Sequence, residues 1–80
     1  MYKDIHAALV EAWMNPFFRQ DVVVAPIESI ERLTKRPFIK VEKIDLCFVN
    51  RPDLDIDKGG FDLVEKRKNK LIINIPKEPI

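Results

Sequence analysis

Eighty residues, 46% of them hydrophobic, suffice for one small core, and the whole of 1–80 reads as a single domain. A domain of this size buries only about 60% of the surface of its unfolded chain, so added burial against a copy or a partner would stabilise it usefully. Fourteen basic and thirteen acidic residues nearly cancel, which excludes a global field drawing the chain to nucleic acid or to a membrane.

The single cysteine, Cys47, excludes an internal disulfide framework and a zinc-finger ligand set. Its setting, "IDLCFV", reads as a buried small hydrophobe rather than a reactive thiol. No apolar run is long enough to span a bilayer, and "MYKDIHAALVEAW" is too acidic for a signal peptide. A cytoplasmic location without membrane contact is therefore expected.

In chain order, Ile5, Ala8, Leu9, Ala12 and Trp13 recur at intervals of three and four, predicting a helix that stops near Met14, before Pro16. "NPFF" then reads as a bridge and "DVVVA" as a short interior strand. "PIESIERLTKRP" predicts a second helix. Pro26 stands in its first turn, Ile27, Ile30 and Leu33 make an apolar stripe, Glu28 and Arg32 pair at spacing four as do Glu31 and Lys35, and Pro37 ends it.

"FIKVEKIDLCFV" predicts a long strand whose alternation changes phase, with a bulge near Glu42 and Lys43 as one remedy. "FDLVEK" and "KLIINI" predict a closing hairpin, turned around Arg67 to Asn69 with Asn69 suited to a left-handed conformation. The expected fold is thus α+β, in two layers. Two helices lie against a mainly antiparallel four-stranded sheet in the order α-β-α-β-β-β, with the first two strands parallel as an alternative. The expected core comprises Leu9, Trp13, Val23, Ile30, Leu33, Val41, Leu46, Phe48, Leu63 and Ile73.

"PDLDIDKGGFDLVE", residues 52–65, sets Asp53, Asp55 and Asp57 at alternate positions, as the first ligands of a calcium loop are set. The rest of that pattern is missing. Lys58 stands where the turn needs glycine, Gly60 where a central aliphatic belongs, and Val64 where a bidentate glutamate belongs. A weak, irregular cation site is one reading of the three aspartates. The favoured one is an acidic connection, with Leu54 and Ile56 in a short charge-guarded edge strand. "PD" at 52–53 with "EKR" at 65–67 fails the magnesium-nuclease pattern, since Arg67 replaces its lysine.

Catalysis finds little support. Ser29 and Thr34 share the second predicted helix while Cys47 and His6 fall in two other elements, and Gly59 and Gly60 are the only glycines, so no phosphate loop exists. His6 reads as a half-buried structural residue, and Ser29 and Thr34 as groups bonded to helix backbone. No enzyme activity, cofactor or metal is expected.

Two surfaces remain. "WMNPFF" gathers Trp13, Met14, Phe17 and Phe18, more aromatic surface than a helix end needs and of the kind that anchors interfaces. The tail "IPKEPI" reads as an extended arm lying on a neighbour or on its own sheet edge. These features point to a protein-interaction or assembly module, with a homodimer or other protein as partner. The alternative is nucleic-acid binding through Lys66, Arg67, Lys68 and Lys70 at the hairpin turn, where four cations could contact phosphates.

Overall fold

The computed structural model describes residues 2–38 and 45–79. Three helices, α1 (Tyr2–Met14), α2 (Pro16–Val24) and α3 (Pro26–Thr34), precede three strands, β1 (Asp45–Asn50), β2 (Val64–Arg67) and β3 (Lys70–Ile75). The class is α+β as expected, but the elements differ from the expectation in number and order.

The main difference is α2, which occupies the stretch read as a bridge and a strand. Asn15 is its N-cap, with Oδ1 accepting from the backbone N–H of Phe17 at 3.0 Å and of Phe18 at 3.3 Å. Pro16 follows at the first helical position, where its fixed φ suits the helix and no N–H is lost. This start, together with the inward packing of Phe18 and Val22, outweighs the strand preference of three consecutive valines. Val23 consequently lies 40% exposed on a helix flank and is not a core residue.

α3 agrees with expectation, although it closes before Pro37. Lys35 takes the left-handed conformation at φ 59° and its N–H reaches Glu31 O at 2.8 Å. The expected spacing-four pairs give way to longer-range ones. Arg32 meets Asp21 of α2 at 3.7 Å, and Glu31 Oε2 accepts from Phe38 N at 3.0 Å. Arg36 bonds Asp4, tying the end of α3 to the start of α1.

The sheet has three strands in the order β1-β3-β2. β2 and β3 form the expected hairpin, Arg67 pairing with Lys70, and Asn69 does not take a positive φ. β1 pairs with β3 in parallel, Leu46 beside Leu71 and Phe48 beside Ile73, so the sheet is mixed rather than mainly antiparallel. The proposed bulge at Glu42 and Lys43, and Val41 of the expected core, lie outside the described residues.

Period-two alternation sends Leu46, Phe48, Leu71, Ile73 and Ile75 to the helical side. There they meet Ile5, Ala8, Leu9 and Ala12 of α1, Val22 of α2 and Ile30 of α3. Leu9, Ile30, Phe48 and Ile73 of the expected core are buried, while Leu33, Leu46, Leu63 and Trp13 are half-buried. Cys47 alternates to the other side of β1 and is likewise only half-buried.

Because β1 and β2 flank β3 and run oppositely, the chain between them must cross the exit of β3. That crossing is the acidic stretch, and the arm after β3 runs into it.

Candidate interaction surfaces

The stretch from Trp13 to Phe18 does not act as one cluster. Phe18 turns inward and packs against the core, and Trp13 is half-buried with its indole Nε1 donating to Lys77 O at 2.6 Å. Met14 and Phe17 face solvent, 67% and 79% exposed. Of the four interface candidates, Phe18 completes the core, Trp13 is anchored but still partly exposed, and Met14 and Phe17 are open to solvent.

The available pair gains a neighbour that the sequence reading did not select. Val24, 85% exposed, lies seven residues and so two turns beyond Phe17, on the same stripe of α2. Val22, which is fully buried, points the opposite way. The outward face of α2 is therefore Phe17, Gln20, Asp21 and Val24, with Met14 at the preceding helix end and Asp21 turned toward Arg32 of α3 at 3.7 Å. A surface helix ordinarily carries polar side chains there.

The inward face holds the residue that sequence reasoning missed. Arg19, only 5% exposed, uses Nε on Ala12 O at 3.1 Å and Nη1 on Asn50 Oδ1 at 2.7 Å. Its Nη2 reaches Trp13 O at 3.3 Å and Pro76 O at 3.0 Å. Burial pulls the guanidinium below its usual pKa, and the Glu78 carboxylate, 3.7 Å away, works in the opposite direction. Arg19 thus joins the end of α1, the end of β1 and the exit of β3. The signal was available only after 16–24 is read as a helix, since Arg19 then falls on the stripe of Phe18 and Val22.

The arm from Pro76 to Pro79 lies on its own chain. Lys77 N donates to Leu54 O at 2.7 Å, next to the bond from Trp13. Leu54 closes a turn through its N–H to Arg51 O at 3.1 Å and Ile56 lies in the next turn, so the expected edge strand is absent and the acidic stretch is a connection between β1 and β2. Its aspartates diverge. Asp53 takes a double hydrogen bond from Arg51, at 3.0 and 2.8 Å, which holds its carboxyl below the ordinary range. Asp55 Oδ1 accepts from Asp57 N at 3.0 Å. Among the described residues no group of three His, Cys, Asp or Glu is arranged to hold a metal ion.

Asp55 and Asp57 instead border an open cleft of about 350 Å³ with Trp13, Ile56, Lys77 and Glu78. At the opposite end of β3, Lys66, Arg67, Lys68 and Lys70 are all exposed on the hairpin, and Arg67 approaches Glu65 at 3.9 Å.

The scattered nucleophiles stay scattered. His6 is exposed, contrary to expectation, because it falls beside rather than under the arc of Ile5 and Leu9. Thr34 Oγ1 donates to Ile30 O at 3.0 Å as expected, whereas the buried Ser29 Oγ has no hydrogen-bond partner among the described residues. Among the described residues no helix is long and apolar enough to cross a membrane. Comparison with protein-family models, curated proteins and solved structures gives no match for this chain.

Proposed function

We propose that the chain is a non-catalytic protein-interaction module that self-associates or docks on a larger partner, with the outward face of α2 as its contact. One observation carries this reading: Phe17 and Val24 are the most exposed large apolar side chains of the described residues, and they share one helix stripe. Apolar and aromatic anchors of this kind dominate interface energies when covered, and leaving them in water gives no compensating gain.

Light scattering across a dilution series tests it. In about 0.5 M salt, where contacts between exposed charges are screened, the expected result is a dimer or larger species that falls to monomer on Phe17→Asp with the circular dichroism spectrum retained. A strict monomer that also recovers no partner in a pull-down would remove the proposal.

A second reading, nucleic-acid binding, draws on the four exposed cations of the β2–β3 hairpin. It depends on phosphate contacts alone and so on low salt.

A further inference from the structure

β3 separates two poles of opposite charge. At its start lies the hairpin with Lys66, Arg67, Lys68 and Lys70, with Glu65 near Arg67 and Asp45 beside Lys70 in the sheet. At its end lies the cleft, where Asp55, Asp57 and Glu78 stand with Lys77, and with Arg19 paired to Glu78 at 3.7 Å the three carboxylates meet two cations, a formal balance of −1 carried by Asp55 and Asp57. Six strand residues place the poles roughly 17 Å apart. They occupy opposite ends of one rigid strand, so the hairpin cannot fold back into the cleft of its own chain.

The cleft has more than charge. The bond from its Nε1 to Lys77 O fixes the Trp13 ring, and the ring lines the cleft together with Ile56. A fixed indole between carboxylates suits a lysine or arginine side chain, since the ring face attracts the cation and the apolar wall takes the aliphatic stem. Among the described residues no cation lies within ion-pair distance of Asp55 or Asp57.

We propose that the chain associates head to tail, the basic hairpin tip of one copy entering the Trp13 cleft of the next. Lys68, in the turn itself, is the side chain that reaches the indole, with Asp57 beside it. Such a contact is heterologous, so each terminal copy keeps one free pole and the assembly grows with concentration instead of closing as a dimer. It is independent of the outward face of α2. Its pairs are exposed and therefore screened, so half-saturation should weaken about tenfold or more between low salt and about 0.5 M.

Trp13 is the only tryptophan and reports on its own cleft. The recipient is the chain carrying Phe17→Asp, which removes the α2 contact. The titrant carries Phe17→Asp and Trp13→Phe and is spectroscopically dark. If Phe17→Asp fails to fold, Val24→Asp replaces it in both. The expected result is a saturable, salt-sensitive change in Trp13 emission. It disappears when the titrant has glutamine at all four hairpin cations, or when the recipient carries Asp57→Lys, and it returns when a Lys68→Asp titrant meets that Asp57→Lys recipient. No emission change up to about 1 mM, an affinity already weak for any specific contact, would overturn the proposal. So would a change indifferent to the hairpin substitutions. Retention of nucleic acid by the hairpin without any emission change would assign the cations to phosphate and overturn it as well.

Discussion

The Arg19 Nη2 donates to the carbonyl of Pro76 at 3.0 Å, joining the middle of α2 to the exit of β3 across 57 residues of sequence. The same guanidinium satisfies Ala12 O and Trp13 O, two carbonyls at the end of α1 that the helix itself cannot pair. A buried cation is costly in itself, and here neutral oxygens supply most of its solvation.

Arg19→Ala is expected to cost about 3 kcal/mol or more, because it strands several buried acceptors at once. A domain of this length holds only about 4–12 kcal/mol in total, so the variant stands close to unfolding. Arg19→Lys should lie between the two, keeping the charge but losing the forked geometry. Urea unfolding reads both, and a loss below about 1 kcal/mol for Arg19→Ala would show the network to be dispensable.

Ser29 is expected to behave in the opposite way. Its hydroxyl is buried with no partner among the described residues, so it is desolvated without return. Ser29→Ala should leave stability unchanged or raise it by about 1 kcal/mol, through loss of that penalty and a better helix propensity. A clear destabilisation would mean that the hydroxyl bonds a group such as the Ala25 carbonyl one turn earlier.

The hairpin cations separate stability from binding. Lys66, Arg67, Lys68 and Lys70 are exposed, so replacing all four with glutamine should shift the unfolding midpoint little. If the hairpin binds nucleic acid, that variant should abolish a low-salt gel shift, and affinity of the unaltered chain should fall steeply as salt rises. Absence of any shift with duplex or single strands would remove the nucleic-acid reading.

Much of this arrangement is legible in the chain. The spacing of Ile5, Ala8, Leu9 and Ala12 identifies α1 and its buried face, and Pro26 with Ile30 identifies α3. The hairpin shows in the alternation of Leu71, Ile73 and Ile75 and in its polar turn. The pairing of β1 with β3 is not visible, because it joins residues some 25 positions apart and no local pattern encodes it. The aromatic stretch is conspicuous, but which of its side chains face inward depends on whether 16–24 is a helix. That one misassignment also hid Arg19 and Val24, whose roles exist only in helical register.

Asn15 is therefore the residue on which the largest departure from the sequence reading turns. Its Oδ1 accepts from two N–H groups of the first turn of α2, and its Nδ2 donates to Glu11 Oε1 at 3.1 Å, so it couples both sides of the corner. Asn15→Ala should cost about 1 kcal/mol, the usual worth of such a cap, while Asn15→Asp should keep most of the stability through the same acceptor. Because Phe17 lies in the capped turn, Asn15→Ala should also weaken any association through the outward face of α2 before the domain unfolds. Urea unfolding and dilution light scattering on the two variants check this together. Equal stability of Asn15→Ala and the unaltered chain would mean that packing of Phe18 and Val22 alone holds 16–24 in a helix, leaving the cap without consequence.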